Sequence, residues 1–271
     1  MSTVAVVIPT CDRPELLARA LTSVMRQKYP PLSIIVVDNG RQALSAAFKQ
    51  RFPDASFMRM TPRCGVAVAR NQGALAGDSD YIAFLDDDDY WPDEFLARMI
   101  ESAERNGYAL VASPIELDDG SVRRPVPVTC RGHVPAWRKT GHGGSNLLVH
   151  RTAFWQAGGF PTRLLTGEDR GLFIEAVLKG FNVGICDDTS CFMTAHAGDR
   201  LTDNNSLLRG KLDFLLAYGP RMTRRERRED QFAFLVYLSR AWGIPLWIPG
   251  CLVFPDVGFR RLRRKLKGRV E

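Results

Sequence analysis

The chain has 271 residues, enough for one large α/β domain or two small ones, and a hydrophobic fraction of 45% excludes a disordered protein. Its net charge of +7 lies at one end: residues 221–271 carry 13 basic and 5 acidic side chains, whereas residues 1–220 are close to neutral. No apolar run reaches the ~20 residues of a membrane-spanning helix, and the first residues lack the basic region and cleavage site of an export signal, so export is not expected.

The first hundred residues alternate between short β-branched apolar runs and longer amphipathic runs. The short runs predict four strands, at residues 4–9, 32–38, 55–60 and 81–85. The longer runs predict helices after them, at residues 14–27, 43–51, 65–77 and 92–105. This alternation predicts a parallel sheet with helices on both faces. Ligands of such sheets bind beyond the carboxyl ends of the strands.

Acidic residues follow three of the predicted strands. Asp12 follows the first strand, Asp38 ends the second, and the consecutive aspartates 86–89 follow the fourth. Because parallel strands bring their carboxyl ends to one edge, these carboxylates should converge there, and they need a cation or hydrogen-bond donors to compensate them. A divalent Mg²⁺ or Mn²⁺ ion, which prefers hard oxygen ligands and bridges phosphate oxygens, is the economical explanation.

The alternative is that these acids are solvated residues of loops and helix starts. Aspartate is favoured before a helix such as the one that Pro92 opens. We prefer this interpretation for Asp89 and Asp93, and the metal interpretation for Asp86 and Asp88.

Several segments together resemble the inverting family 2 glycosyltransferases of the GT-A fold. The resemblance covers roughly residues 3–200, and it is specific because the segments occur in the family's order rather than singly. They are VVIPTCDRPELLARALTSVMRQ, IIVVDNG, VARNQGALAG, YIAFLDDDDYWPDEFL, GGSNLLVHRTAFWQAGGF and GEDRGLFIEAVLKG.

The resemblance implies an α/β fold of GT-A type, with a mostly parallel central sheet flanked by helices. It implies a glycosyltransferase domain at residues 1–205, with a Rossmann-like nucleotide-sugar-binding half at 1–112 and an acceptor-binding half at 113–205. A helical, basic C-terminal extension would follow at 206–271. The implied reaction is transfer of one sugar from a UDP- or dTDP-sugar to an acceptor hydroxyl with inversion, with Mn²⁺ or Mg²⁺ as cofactor, in the assembly of a cell-surface glycan or glycolipid.

The exit of the first strand and the end of the second resemble the family's nucleobase contacts, which here are Pro9, Thr10, Asp12 and Asp38. A carboxylate can accept a hydrogen bond from a ring N–H of uracil or thymine, so these residues fit a pyrimidine donor. Asp12 is also placed to cap the helix that begins near Pro14.

The resemblance carries further donor-side roles to five residues between positions 70 and 88. Arg70 and Asn71 are expected beside the ribose and the diphosphate. In the Asp-X-Asp element, Asp88 is expected to bind the metal directly and Asp86 to contact the ribose, with Asp87 between them counted among the donor-binding residues.

The acceptor side of the resemblance centres on Asp169, which takes the position of the family's catalytic base after Glu168. Thr166 stands three residues before Asp169, so the same segment can also be interpreted as a helix capping box. The segment TAHAGDRLT resembles a closing loop in which His196 approaches the metal and Arg200 the diphosphate. A structural hydrogen bond is an equally good explanation of His196.

Glycines 143 and 144 with Ser145 precede the predicted strand 146–149. They would either bring the backbone close to a sugar or form a plain turn. The Gln-x-x-Arg-Trp motif of processive polysaccharide synthases is absent from the sequence, which favours transfer of a single sugar.

The C-terminal region departs from the family pattern. Residues 241–255 are uncharged and contain Trp242, but they are too short and too interrupted by proline to span a bilayer. Seven basic residues follow between Arg260 and Arg269. A basic segment after such a patch predicts attachment to an anionic membrane surface, and so a cytoplasmic protein at the inner face of the cell membrane. Alternatively, the patch packs on the catalytic domain; no motif for nucleic-acid binding accompanies the segment.

Two rival functions remain open from the sequence. A sugar-nucleotide pyrophosphorylase has a related sheet, but it usually carries a glycine-rich phosphate loop where this chain has PTCDRPE. A catalytically degenerate, membrane-associated assembly partner is disfavoured by the intact acidic set.

Overall fold

A computed structural model describes residues 1–125, 143–194, 204–243 and 251–258. The chain divides into two compact units. The first comprises residues 1–128, 139–162 and 168–197, and the second comprises residues 129–138, 163–167 and 198–271. The domain boundary expected between residues 205 and 206 stays a prediction.

The first unit contains all the strands of the described residues and six of the helices. The strands are β1 (Val4–Thr10), β2 (Ser33–Asp38), β3 (Ala55–Arg59), β4 (Tyr81–Phe84), β5 (Asp89–Tyr90), β6 (Leu110–Ala112), β7 (Ile115–Leu117), β8 (Val122–Arg123), β9 (Leu147–His150), β10 (Val183–Ile185) and β11 (Cys191–Met193). The helices are α1 (Pro14–Met25), α2 (Ala46–Gln50), α3 (Val66–Ala76), α4 (Phe95–Asn106), α5 (Arg151–Ala157) and α6 (Glu168–Leu178).

The central sheet has seven strands in the order β10-β6-β9-β4-β1-β2-β3. Neighbours pair in parallel except β9, which runs antiparallel to β4 and β6. The predicted strands and helices of the first hundred residues are confirmed within a few residues at their ends. A smaller sheet has the order β5-β11-β7-β8. The predicted α/β class with a mostly parallel sheet is therefore correct.

The strand order reverses between β1 and β4. The chain leaves β1 for β2 and β3 on one side and returns at β4 on the other side of β1. A crevice forms at the carboxyl ends of the strands at such a switch point. The loops after β1 and β4 flank this crevice, and they carry Asp12 and the aspartates 86–89.

The core forms because apolar side chains repeat with the period of each element. All seven residues of β1 are buried, as expected of a central parallel strand. Helix α1 presents Leu17, Leu21 and Val24 to the core at helical spacing. Helix α3 lies close to the sheet because Gly73 has no side chain: a Cβ there would lie 2.4 Å from Val7 Cγ1.

The second unit contains helices α7 (Asn204–Tyr218) and α8 (Arg224–Trp242), joined by a 3₁₀ turn at Gly219–Arg221. A capping box begins α8, because Thr223 Oγ1 accepts from the Glu226 amide while the Glu226 side chain accepts from the Thr223 amide. Buried Lys211 and Asp230 approach to 4.0 Å. Within the parts of the chain described above, no helix has both the length and the hydropathy needed to cross a bilayer.

Candidate active site

Asp87, the second aspartate after β4, is fully buried and fastens the loop that follows β1. Its Oδ2 accepts hydrogen bonds from Thr10 Oγ1 at 2.7 Å and from the Cys11 amide at 3.4 Å. Its Oδ1 pairs with Arg13 Nη2 at 2.5 Å. Burial raises the pKa of Asp87 to about 6, although Arg13 and Thr10 act in the opposite direction. Asp87 therefore holds the two loops of the crevice together.

Asp88 lies nearer the surface and is held by two arginines of the β1–α1 region. Its Oδ2 accepts from Arg13 Nη1 at 2.9 Å, and its backbone carbonyl accepts from Arg19 Nη2 at 2.5 Å. The Arg19 guanidinium also stacks over the Tyr90 ring, 4.9 Å from its centroid. Arg13 and Arg19 therefore compensate negative charge of the aspartates. They come from a distant part of the sequence, so the residues adjacent to Asp88 give no sign of this compensation.

Asp89 is buried, and its interpretation as a solvated loop residue was wrong. It begins β5 and accepts a hydrogen bond from Ser145 Oγ at 2.5 Å. Ser145 Oγ in turn accepts a hydrogen bond from the Asp86 amide at 3.0 Å. Burial raises the pKa of Asp89 well above its ordinary value, and the carboxylates of Asp86 and Asp88 raise it further. Asp93, in contrast, is exposed at the surface, where it pairs with Arg26 at 3.2 Å.

The carboxylates of Asp86, Asp88 and Asp89 form a cluster in which one oxygen from each lies within 4.8 Å of the others. Three carboxylates on one short loop are a hard oxygen donor set of the kind that Mg²⁺ and Mn²⁺ prefer. The carboxylates of Asp86 and Asp88 add to the effect of burial in raising the pKa of Asp89, so a cation at the cluster would relieve a repulsion between like charges. The residues present therefore fit a divalent metal.

Arg70, on α3, connects this cluster to the start of α6. Its Nη2 pairs with Asp86 Oδ1 at 2.5 Å and its Nη1 pairs with Glu168 Oε1 at 2.7 Å, while only 2% of its side chain is exposed. The guanidinium lies against the Phe160 ring, 5.1 Å from its centroid. Gly144 covers it so closely that an added Cβ would lie 1.7 Å from Arg70 Nη2.

Asp169 lies in the first turn of α6, next to Glu168. Its Oδ1 accepts a hydrogen bond from the Arg170 amide at 2.6 Å. Desolvation and the neighbouring Glu168 carboxylate raise the pKa of Asp169 to about 7, against the opposing effects of the Arg170 amide and Arg70. A carboxyl group with this pKa is poised to take up a proton near neutral pH.

The capping box that the spacing of Thr166 and Asp169 offered as an alternative does not form. Thr166 Oγ1 is buried without a hydrogen-bond partner among the residues that the structure describes. The Asp169 carboxylate instead bonds the amide of the next residue. Asp169 is therefore not explained by a helix-capping role of this kind.

The predicted nucleobase residues lie at the carboxyl ends of β1 and β2 and, for Asp12, on the loop after β1. Asp38 is 4% exposed, pairs with Arg59 at 2.7 Å, and accepts from the amides of Gly40 and Leu44 at 3.0 Å. Pro9 and Thr10 end β1 beside it in the sheet, in register with Val37 and Asp38. These contacts hold Asp38 in a fixed orientation. Its role in base recognition stays a prediction.

Asp12 does not cap α1. The N-cap residue of α1 is Arg13, which makes no capping hydrogen bond with its side chain. Asp12 has a left-handed backbone conformation with φ of 58°, and its Oδ1 accepts from the Gln42 amide at 3.1 Å. Its close neighbour is Gly40, at which an added Cβ would lie 2.6 Å from Asp12 Oδ1. Asp12 thus joins the β1 loop to the β2 loop.

Asn71 uses both ends of its side-chain amide on the backbone of one residue, Phe160. Its Nδ2 donates to the Phe160 carbonyl and its Oδ1 accepts from the Phe160 amide, both at 2.9 Å. This pair of bonds fixes the turn after α5. These bonds lie within the protein and do not test the contact with ribose or diphosphate, which stays a prediction.

Two predicted residues, His196 and Arg200, lie outside the described residues. Of the sequence GGS at 143–145, Gly144 covers Arg70 and Ser145 bonds Asp89, so both support the acid cluster. Sequence reasoning missed Arg13 and Ser145 as partners of the acids. The only signal for Arg13 was its place beside Asp12 in the PTCDRPE segment.

Solved structures share this fold. TarS of S. aureus, residues 1–349 in complex with UDP-GlcNAc, has a TM-score of 0.63 and 15% identity over 92% of this chain and 79% of that chain. The mannosyltransferase PcManGT from Pyrobaculum calidifontis, in complex with GDP-Man and Mn²⁺, has a TM-score of 0.62 and 17% identity over 100% of this chain and 81% of that chain. These likenesses establish the fold, and they confirm the GT-A type that the sequence predicted.

Sequence comparison also finds similar proteins. The succinoglycan biosynthesis protein ExoM of Rhizobium meliloti (strain 1021) is 29% identical over 161 residues, which cover 53% of this chain and 50% of ExoM. The chain spans about half the length of the curated relatives that it first matches. The profile of glycosyl transferase family 2 matches residues 5–184, well over half of the sequence, so this chain belongs to glycosyl transferase family 2.

Proposed function

We propose that the chain transfers a single sugar from a nucleoside-diphosphate sugar to an acceptor hydroxyl, with inversion at the anomeric carbon. The observation that carries this proposal is the connection between Asp169 and the acid cluster. Arg70 pairs with Asp86 of the cluster and with Glu168, the residue before Asp169. A carboxyl group suited to take a proton therefore lies close to a group of acids suited to hold the metal of a donor diphosphate.

Asp169 is the proposed general base. A base works best when its pKa lies near the working pH, because it is then largely ionised and still accepts a proton readily. The pKa of about 7 meets this condition. The acceptor hydroxyl gives its proton to Asp169 as its oxygen attacks the anomeric carbon from the face opposite the leaving diphosphate, which produces the inverted anomer.

Asp86, Asp88 and Asp89 are the proposed residues for Mn²⁺ or Mg²⁺. A divalent ion at this cluster would neutralise the charge that grows on the departing diphosphate. Asp88 keeps the direct metal contact predicted from the sequence, and Asp89 joins it because its buried carboxylate lies in the same cluster. His196 remains a proposed further ligand.

The proposed donor is a UDP- or dTDP-sugar. Asp38 at the end of β2 and Asp12 on the loop after β1 support a pyrimidine, because a carboxylate can accept a hydrogen bond from its ring N–H. UDP-GlcNAc is bound by TarS and GDP-Man by PcManGT, so solved structures of this fold include both a pyrimidine and a purine donor. Arg70, Asn71, Asp86, Asp87 and Arg200 are the other proposed donor-side residues, with Arg70, Asn71 and Asp87 acting through the contacts that they already make in the protein.

The proposed acceptor is a growing glycan or lipid-linked sugar at the inner face of the cell membrane. The name of ExoM, a succinoglycan biosynthesis protein, supports a role in the assembly of a glycan. The charge of residues 221–271 supports attraction to an anionic membrane surface, which falls off within a Debye length. Family 2 membership favours transfer over the pyrophosphorylase alternative.

Calorimetric titration of UDP, dTDP and GDP into the full chain with Mn²⁺, and again with EDTA, tests the donor side. We expect tighter binding of UDP or dTDP than of GDP, and loss of binding with EDTA. Equal affinity for GDP and UDP would contradict the proposed base recognition. Incubation with a panel of UDP- and dTDP-sugars and simple glycoside acceptors, followed by NMR of the product anomeric proton, then tests transfer and inversion; a retained configuration would exclude the mechanism.

A further inference from the structure

Arg70 is almost completely buried within the protein. Its side chain is 2% exposed, and each of its terminal nitrogens already pairs with a carboxylate, at 2.5 Å and 2.7 Å. The Phe160 ring lies over one part of the guanidinium, and the Gly144 backbone lies against Nη2. Contacts of this kind fix a side chain in one orientation, because each displacement would leave a buried charge without its partner.

The two carboxylates that Arg70 binds belong to different parts of the proposed site. Asp86 lies on the loop after β4, in the metal cluster, and Glu168 begins α6, next to Asp169. Arg70 and Glu168 are 98 residues apart in the sequence. One guanidinium therefore joins the donor side of the crevice to the helix that carries the proposed base.

We propose that Arg70 is a positioning residue that sets the place of Asp169 relative to the acid cluster through its ion pairs with Asp86 and Glu168. The proposal rests on the proposed role of Asp169, and it replaces direct contact with the donor as the role of Arg70. A planar guanidinium with two outward nitrogens can serve two carboxylates at once, whereas a lysine ammonium is a single point charge. The fork geometry, and not only the positive charge, is therefore required.

The charges around Asp169 give this role a measurable signature. Besides burial and the Arg170 amide, charged side chains act on the Asp169 carboxyl from the elements around it: Glu168 on α6, Arg70 on α3 and Asp86 on the loop after β4. Glu168 and Asp86 raise the pKa of Asp169, and Arg70 lowers it. Loss of the Arg70 charge and loss of the Glu168 charge should consequently move the pKa of Asp169 in opposite directions.

The direct test measures that pKa by ¹³C NMR of the metal-free chain labelled at the aspartate carboxyls, with the Asp169 signal identified by its absence in Asp169→Asn. We expect Arg70→Met to raise the pKa of Asp169 by about 1 unit or more and Glu168→Gln to lower it by a similar amount, since a neighbouring charge within hydrogen-bond range shifts a pKa by 1 to 3 units. An Asp169 pKa that does not move in Arg70→Met would overturn the proposal. This measurement needs no turnover, so it separates failure of the proposal from failure of the proposed function.

A second variant displaces the guanidinium without removing its charge, which protects the test if Arg70→Met does not fold. The Cβ of Gly144→Ala would lie 1.7 Å from Arg70 Nη2 and 2.9 Å from Asp86 Oδ1, so the fork must move. The matched control is Gly219→Ala, because a Cβ there meets no atom within 4 Å. We expect Gly144→Ala to lower sugar transfer about 100-fold and to shift the acid limb of its pH profile, and Gly219→Ala to stay within about twofold of wild type.

Nucleotide affinity distinguishes a positioning residue from a donor ligand. With Mn²⁺ present, Arg70→Lys should bind UDP within about fivefold of wild type but lose at least about tenfold in kcat, because the lysine cannot hold both carboxylates. A lysine variant that loses UDP affinity and keeps the wild-type kcat would assign Arg70 to the donor instead, and would overturn the inference.

Discussion

Replacement of Asp169 by asparagine separates chemistry from folding at the proposed base. The amide oxygen of asparagine can still accept the hydrogen bond that Asp169 Oδ1 receives from the Arg170 amide at 2.6 Å. The capping box with Thr166 does not form, so no further structural contact of that kind is lost. We therefore expect Asp169→Asn to change the free energy of unfolding by no more than about 1 kcal/mol.

The expected loss of activity follows from the role and from the pKa. A positioned base contributes about 10²- to 10⁴-fold to a rate, so the asparagine variant should lose transfer by that factor. With a pKa of about 7 for Asp169, wild-type transfer should fall about tenfold between pH 8 and pH 6, because the protonated carboxyl cannot accept the acceptor proton. The residual rate of Asp169→Asn should lack this acid limb.

The assay measures initial rates of transfer at several pH values. Calorimetric UDP binding and urea unfolding are measured on the same proteins, to check donor affinity and folding. Asp93→Asn is the matched control, because Asp93 is an exposed aspartate whose partner is the surface residue Arg26. The control should transfer at the wild-type rate with the wild-type pH profile. If Asp169→Asn is folded, binds UDP and keeps more than about a tenth of wild-type transfer, Asp169 is not the base.

Three further predictions concern other parts of the chain. Asp87→Asn should remove a loss of stability that wild type shows as the pH rises. The folded-state pKa of Asp87 is raised from 3.8 to about 6, so between these pH values the native state holds a proton that the unfolded state has released. Wild type therefore loses up to about 3 kcal/mol of unfolding free energy relative to the variant as the pH rises from about 4 to 6 and above. Urea unfolding at pH 4.5 and 7.5 checks this, and a pH-independent difference between the two proteins would contradict it. Asp89→Asn should weaken Mn²⁺ binding at least tenfold in calorimetry without nucleotide, because it removes one of three clustered carboxylates; unchanged affinity would place the metal elsewhere. Deletion of residues 260–271 should weaken sedimentation with anionic liposomes, at about 1 kcal/mol for each basic residue near the surface, and leave hydrolysis of a soluble donor intact; salt-insensitive binding that survives the deletion would refute attachment by the basic segment.

The parts of the fold that sequence predicts well are those whose signal is local. The strands β1, β2 and β4 are buried apolar runs; β2 ends in an aspartate, and aspartates follow β1 and β4 at the carboxyl edge of the sheet. A buried parallel strand needs only such a run, and a helix such as α1 needs only its own repeat of apolar positions. The convergence of the acids then follows from the topology of a parallel sheet.

The parts that sequence does not predict depend on contacts between distant segments. Asp89 could not be recognised as buried, because Ser145, its hydrogen-bond partner, lies 56 residues away. The antiparallel insertion of β9 between β4 and β6 carries Ser145 to this edge of the sheet, and nothing in the apolar run of β9 indicates its direction. The capping box that the sequence offered as an alternative for Asp169 is absent for a similar reason, since spacing alone does not show which groups the Thr166 hydroxyl meets.

The close packing of Gly144 on Arg70 also bears on how this sequence can change over time. A side chain at position 144 is incompatible with the guanidinium in its present place, because even a methyl group would overlap it. A side chain at 144 would displace the guanidinium, and a shorter residue at 70 would leave Asp86 and Glu168 without their shared partner. Random mutagenesis with selection for transfer should therefore retain glycine at 144 and arginine at 70 together, although the two positions lie 74 residues apart in the sequence.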